Sequence, residues 1–408
     1  MQYNLSTLPT SEDSVEVKGL NFSIIKYKKE NLNANNLDTL GLFRSVIVEY
    51  ADADATTGEK PFRPVSFSPP KSIPTETFVA AYTLQDCVIE EFIDGTMINI
   101  FWSEVANEWI INTKSNIGAN SHFFVFPVAT SAKSQHTKSF RDMFFDAIGP
   151  AFDFSIFDKS CSYSFVLQHP MNRLVSPVYA PAIYLVGIYR LDGPLVIPLD
   201  IHSHFNTTTP VTNSIKKPQV YSSTSYEDLQ QRFAGTNPQA PTPYNVMGIV
   251  VKHPATGHRT KFRNPAYEYV KQLRGNNPRL DYRYMELRKS NKVKEFLRYY
   301  PECVPLFSEY RHKIHTFTQH LYKNYVDCYI LKKNKLSYFS TQYKTNMYNL
   351  HRVYLSTYKP EGQYVTFGSV VKFVNSLDIP LLLHSINYDI VQSQKVHDEK
   401  EKGITETI

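Results

Sequence analysis

An α+β chain, with mainly antiparallel sheets in its N-terminal part and an all-helical C-terminal domain, is what this sequence predicts. Two observations carry that expectation. Up to about residue 265, short runs of alternating apolar and polar residues recur between polar or proline-rich turns, as half-buried strands require. Beyond Pro265 the apolar spacing changes to three and four, the period of an amphipathic helix. The length agrees: 408 residues exceed what one hydrophobic core usually supports, so two domains are expected.

Taken in order, residues 1–15 are expected to be a flexible N-terminus ending in an acidic patch. The runs NFSIIKY, RSVIVEY, DCVIEEF, TMINIFW and EWIINTK then read as strands. In KSFRDMFFDAI, residues 138–148, Phe140, Met143, Phe144 and Ile148 fall at helical spacing. Strands return with YSFVLQH, AIYLVGIYRL and NVMGIVVKH. Between them, residues 201–243 shift to Ser, Thr, Asn, Gln and Pro and read as a surface insertion with one helical stretch at 225–233. These runs define a domain over 16–275, and a helical domain over 276–394 follows. Residues 395–408 read as a charged tail.

Composition narrows the function classes. Hydrophobic residues at 42% and charged residues at 20% are globular values, and no apolar run approaches a membrane span. The first residues, MQYNLSTLPTSEDS, have no apolar h-region, so the protein is expected to stay on the cytosolic side without a membrane partner. Cys87, Cys161, Cys303 and Cys328 are scattered without metal-ligand spacing and read as free thiols. The formal charge of +6 permits a nucleic-acid partner without demanding one. With 28 Tyr and 26 Phe against 15 Gly, stacking surface is plentiful, while P-loop and Rossmann glycine motifs do not occur.

Five stretches hold the residues with chemical potential. FRSVIVEY followed by RPVSFSPPKS carries Arg44, whose planar fork suits phosphate oxygens. EEFIDGTMINIFW, residues 90–102, contains the turn residues Asp94 and Gly95. WIINTKSNIGANSHFF carries Lys114 at a strand edge, and YSFVLQHPMNRLV carries Asn172 and Arg173. In NVMGIVVKHPATGHRTKFRNPAY, Lys261 and Arg263 share one face of a strand because its side-chain period is two. Each cation has a plainer reading as a solvated surface charge. In the C-terminal helices, His312 and His315 share a face, but no Cys or acid completes a metal set. The tyrosine-rich basic run 311–352 reads either as an amphipathic bundle or as an RNA-facing surface.

In order and spacing, these stretches resemble the phage-type ATP-dependent RNA ligases of the covalent nucleotidyltransferase superfamily, over roughly Leu42 to Val270. EFLRYYPE at 295–302, and FSPPKS together with EEFIDGTMINIFW, resemble ligase-like proteins of large cytoplasmic DNA viruses. The resemblance implies a nucleotidyltransferase domain of two packed sheets with a cleft, and nucleotide- or RNA-binding roles for Arg44, Asp94, Gly95, Lys114, Asn172, Arg173, Lys261 and Arg263. It also implies a lysine nucleophile and two glutamates, and at those positions this chain has Phe92, Val166 and Met247. Phenylalanine has no lone pair with which to attack an α-phosphate. Apolar side chains cannot ligate Mg²⁺ either.

The expectation is therefore a catalytically inactive RNA-ligase-like viral protein, in the host cytoplasm or virion, that binds RNA, nucleotide or a viral protein partner. No cofactor and no metal are expected. The alternatives are an active ligase with a relocated nucleophile, Lys71 or Lys114, which would need ATP and Mg²⁺, and a structural or assembly component of a virion.

Overall fold

The structure, a computed structural model, describes residues 1–19, 21–50, 62–124, 138–150, 152–205, 214–235, 242–389 and 392. The chain divides into two compact units, Met1–Arg274 and Gly275–Ile408. The first is built of antiparallel sheets with a few helices, and the second is helical.

In chain order the first unit begins with β1 (Tyr3–Asn4), β2 (Ser14–Lys18), β3 (Phe22–Tyr27), β4 (Val46–Tyr50), β5 (Phe62–Ser66) and α1 (Thr75–Ala81). Next come β6 (Val88–Glu91), β7 (Thr96–Ser103), β8 (Glu108–Thr113), α2 (Phe140–Ile148), β9 (Cys161–Gln168) and β10 (Ala182–Asp192). It closes with β11 (Leu195–Leu199), β12 (Ile215–Lys216), β13 (Val220–Tyr221), α3 (Tyr226–Phe233), β14 (Gly248–Lys252), β15 (Arg259–Arg263) and α4 (Pro265–Arg274). Helix starts follow the expected chemistry. Ser139 and Asp142 form a reciprocal cap on α2, Ser225 caps α3, and proline opens α4, where its missing N–H costs nothing.

Among the described residues these strands make three sheets. The largest runs β1-β11-β10-β9-β7-β8, with β12 joined in parallel to β10. The second runs β13-β6-β14-β15 and the third β2-β3-β4-β5. One face of the large sheet is covered by α2, with Phe144 packed against Phe165, Ile183 and Leu185. One face of the second sheet is covered by α1 and α3 through Phe78, Leu229 and Phe233 over Ile89, Ile249, Val251 and Phe262. The third sheet packs on the large one through Ile25, Val46 and Val48 with Tyr189 and Val196. Hydroxyls reinforce that junction: the Ser164 Oγ donates to the Phe67 carbonyl and Asn99, and Phe67 N–H donates to Ser162 Oγ.

Two expectations about segments change. The N-terminus is not frayed, because β1 pairs with β11 and Leu5 is wholly buried, so backbone pairing and an apolar anchor hold it. Residues 201–243 are more than a surface insertion. β12 and β13 add to two sheets, and Ile201, Ile215, Leu229 and Phe233 enter the cores, which polar composition disguised. The tail at 395–408 lies outside the described residues.

The second unit contains α5 (Leu280–Lys289), α6 (Val293–Tyr299), α7 (Val304–Tyr325), α8 (Thr341–Val353), α9 (Phe367–Ser376) and α10 (Ile379–Ile386). α7 is its centre, burying Phe307, Tyr310, Ile314, Phe317, Leu321 and Tyr325. Both α7 and α8 end in a π-helical turn. The tyrosines divide between core and surface: Tyr284 and Tyr325 are buried, whereas Tyr338, Tyr348 and Tyr364 are exposed. His312 and His315 are both exposed.

Candidate functional site

The second sheet has a face not covered by α1 and α3, and the pairing register sets out what it presents. Residues directly opposite across neighbouring strands lie on the same face. One row is therefore Glu90, Val250 and Lys261, and the next, toward the ends of β6 and β14, is Phe92, Gly248 and Arg263. A third row on the other side is Val88, Lys252 and Arg259. Lys261 and Arg263 thus do share one face, as the period of β15 implies.

Phe92 is half-buried, and its backbone N–H donates to the Gly248 carbonyl at 3.0 Å. The Lys261 Nζ lies 4.2 Å from the centre of its ring, and the Arg263 guanidinium carbon lies 5.6 Å from it. Two cations over one ring are an arrangement that the negative face of the π-system favours. Lys71, Lys261 and Arg263 also line a cavity of ≈ 470 Å³.

The cations act on one another. Burial drives the Lys261 amine down to about 6, with Arg259, Arg44, Arg263 and Lys71 adding to the fall. Burial also lowers Arg44, helped by Arg263 and opposed by Tyr27 and Tyr189. Lys114 falls through burial and then through Arg44, Lys26 and Lys71, and Lys71 falls through burial and then Arg44. Arg44, Lys71, Lys114 and Lys261 have no ion-pair partner among the described residues. Lys114 has only the Tyr27 ring, at 5.9 Å. Arg263 is the exception, bonded to Glu268 at 2.5 Å on an exposed edge.

Four residues expected to face a ligand are instead engaged within the fold. Asp94 is buried, accepting the N–H groups of Val175 at 3.2 Å and Ser176 at 2.9 Å and the Tyr267 hydroxyl at 2.6 Å. Gly95 has φ +149°, and a Cβ there would come within 2.4 Å of the Leu167 carbonyl oxygen and 2.7 Å of the Val166 side chain. Only glycine lets β9 approach so closely. Asn172 is buried and donates to Thr96 at 2.8 Å, and Arg173 folds back on the Val175 carbonyl at 3.0 Å. A short polar side chain or a lone Gly in a turn gives the same sequence signal whether it holds a loop or a ligand, and here these residues clamp 172–176 to the turn. Val166 is buried, opposite Met97 and Tyr184, and Met247 is half-buried just before β14.

The sequence reading missed Arg259, although the same two-residue period that gave Lys261 and Arg263 includes it. Its Nε donates to Pro70 and its Nη2 to Pro69, so it pins the extended segment after β5. It also missed Glu90, which bonds Lys252 at 2.6 Å and His202 at 3.2 Å. Those three lie far apart in sequence, and no spacing rule would join them. Among the described residues no three His, Cys, Asp or Glu side chains converge to hold a metal ion. No described helix is long and apolar enough to cross a membrane.

No family model matches the chain. It is 22% identical over 306 residues to an immediate-early protein ICP-46 homolog of Invertebrate iridescent virus 3, a match covering 71% of this chain and 60% of that protein. The chain thus spans less than two thirds of that relative's length. Solved structures it is similar to include ATP-dependent ligases. An archaeal ATP-dependent RNA ligase gives a TM-score of 0.38 at 12% identity, covering 75% of this chain and 76% of that one. An RNA ligase of Naegleria gruberi, solved with ATP and Mn, gives 0.33 at 8% identity, covering 66% and 97%. A putative ATP-dependent DNA ligase from Aquifex aeolicus gives 0.34 at 12% identity, covering 85% and 78%.

Proposed function

We propose that the first unit is a nucleotidyltransferase-like domain that no longer transfers nucleotides and binds the phosphates of RNA or a nucleotide through its cationic face. The observation that carries this reading is that Arg44, Lys71, Lys114 and Lys261, none with an acidic partner among the described residues, are close enough to act on one another, with Lys261 over the ring of Phe92, where the ligase resemblance expects a nucleophilic lysine. Arg44 and Lys261 are half-buried, where an unpaired cation is costly unless an anion joins it, while Lys71 and Lys114 stand exposed beside them. A phosphate backbone supplies such an anion, and the Phe92 ring offers a surface on which a base can stack. With Val166 and Met247 at the expected acid positions, the site offers cations and no oxygen ligands for Mg²⁺.

Two measurements test the reading. Incubation with α-labelled ATP and Mg²⁺ should leave no covalent protein–AMP adduct. Binding of a labelled single-stranded RNA should weaken steeply with salt, and should weaken again in Arg44→Ala and Lys261→Ala. An adduct on any lysine overturns the inactive reading, and salt-insensitive binding or none overturns the phosphate reading.

One observation favours a second reading. The Lys261 amine is held near 6, so at neutral pH much of it is unprotonated and nucleophilic, and it sits against Phe92 itself. If the protein does transfer nucleotides, Lys261 is a better relocated nucleophile than Lys71 or Lys114, and the adduct should then vanish in Lys261→Arg.

A further inference from the structure

The uncovered face of the second sheet does not end at the cationic site. Beyond the row of Glu90 and Lys261, at the row of Val88, Lys252 and Arg259, a separate cavity of ≈ 540 Å³ opens toward β10 and β11. Its walls are largely apolar, from Pro69, Pro70, Val186, Ile188, Leu199 and Ile201. A concave apolar pocket of this size with a few convergent polar groups is the usual form of a small-molecule site.

The polar groups at its inner end are built in. Tyr189 is only 6% exposed, lines the cavity, and its hydroxyl has no hydrogen-bond partner among the described residues. Gly187 makes room for it, since a Cβ there would come within 2.9 Å of the Tyr189 ring and hydroxyl. Arg259, 9% exposed, also lines the cavity. Its Nε and Nη2 go to the Pro69 and Pro70 carbonyls, its Nη1 has no partner among the described residues, and no carboxylate is bonded to it. Neither the Tyr189 hydroxyl nor Arg259 Nη1 is bonded to a described protein group, and both side chains line the cavity, so each is available to a ligand there.

Charge narrows the ligand. Glu90 gives one oxygen to Lys252 and the other to His202, so its charge and that of Lys252 offset each other. Asp200, at the exposed rim, spends its carboxylate on the backbone N–H groups of His202 and Ser203. Among the described residues, Arg259 is the buried charge at the inner end with no carboxylate bonded to it, and one positive charge matches one negative charge. Burial, with Arg44 nearby, pushes the Arg259 guanidinium down to about 10, against the opposing pull of Tyr189, Tyr3 and Glu90.

We propose that this cavity is a second binding site, for a small apolar-bodied monocarboxylate whose head is held by Arg259 Nη1 and the Tyr189 hydroxyl and whose body lies against the prolines and aliphatic walls. A guanidinium nitrogen and a hydroxyl on one cavity wall supply two donors, one of them charged, for the two oxygens of a carboxylate. The site is distinct from the cationic face around Phe92, so its occupancy does not depend on the phosphate reading.

The test is isothermal titration of the full chain with three probes of one shape: phenylbutyrate, phenylbutanol and phenylbutylamine. Phenylbutyrate should bind saturably with one site, and the alcohol at least about ten-fold more weakly, the size of a lost charge-assisted hydrogen bond. Arg259→Gln would also release the Pro69 and Pro70 carbonyls and can unfold the segment, so Tyr189→Phe carries the argument. It should weaken phenylbutyrate by about five-fold, as for one hydrogen bond, and leave the melting temperature unchanged. Val186→Trp, which fills the cavity from its wall, should abolish binding. Equal affinity for acid and alcohol, tighter binding of the amine, unaltered binding in Tyr189→Phe or Val186→Trp, or no binding of phenylbutyrate would each overturn the proposal.

Discussion

Lys252 and Lys261 stand on neighbouring strands of one sheet and point to the same face, yet their circumstances are opposite. Lys252 has the Glu90 carboxylate at 2.6 Å, while Lys261 has, among the described residues, a phenylalanine ring and four other cations around it and no acid bonded to it. Register accounts for the difference. Lys252 is the diagonal neighbour of Glu90 on the adjacent strand, whereas Lys261 lies two strands away behind Val250, roughly 10 Å at ordinary strand spacing. One acid cannot serve both, and the nearer lysine takes it. The paired lysine is consequently part of the scaffold, and the unpaired one is the lysine to which the proposed phosphate binding is assigned.

The largest expected effect tests the scaffold half of that contrast. Glu90→Ala removes a buried acid bonded to the half-buried Lys252 and should cost about 2 kcal/mol in urea unfolding, less than the penalty for orphaning a fully buried charge. The opposite sign is expected at the other lysine. Lys261→Met removes an amine that must give up its proton on folding, and should raise stability by about 1 kcal/mol near neutral pH while lowering RNA affinity about ten-fold. If both substitutions destabilise alike, the two lysines are equivalent and the contrast fails.

The Lys261 amine also gives the contrast a pH dependence. Its folded value of about 6 lies below its ordinary 10.5, so between these limits the unfolded chain holds a proton that the folded chain lacks. Stability from this group therefore rises with pH across that window and its cost is fully present below about 6. The gap in stability between Lys261→Met and the unaltered protein should shrink as pH goes from 7 toward 10. A bound phosphate reverses the balance of charge and favours the protonated amine. Titration of RNA at pH 7.5 in two buffers of different ionisation enthalpy should then show net proton uptake that disappears in Lys261→Met. No uptake would mean that the ligand does not reach Lys261.

The same contrast explains what could be read from the sequence. Apolar runs located β6 and β14, the ligase resemblance located β15, and helical spacing located α2 and α3, because period is a local property. It also put Lys261 and Arg263 on one face. Pairings between distant segments were not legible: nothing in EEFIDG or VKHPATG says that Glu90 meets Lys252 and His202, or that Tyr189 shares a cavity with Arg259. Asp94 and Gly95 were legible as a turn but not in purpose. A carboxylate that clamps 172–176 and one that touches a ligand leave the same letters behind.

Arg263 should mark the lower limit of these effects. It lies beside Phe92 like Lys261, but it is exposed and already bonded to Glu268, so it has a partner and water to screen it. An exposed pair of this kind contributes little, and Arg263→Ala should shift stability by less than about 0.5 kcal/mol in either direction. Its guanidinium must leave Glu268 to meet a phosphate, which offsets part of the gain, so RNA affinity should fall by only about three-fold, against ten-fold for Lys261→Met. Equal losses from the two substitutions would mean that proximity to Phe92 governs binding. A smaller loss at Arg263 would mean that the absence of an internal partner does.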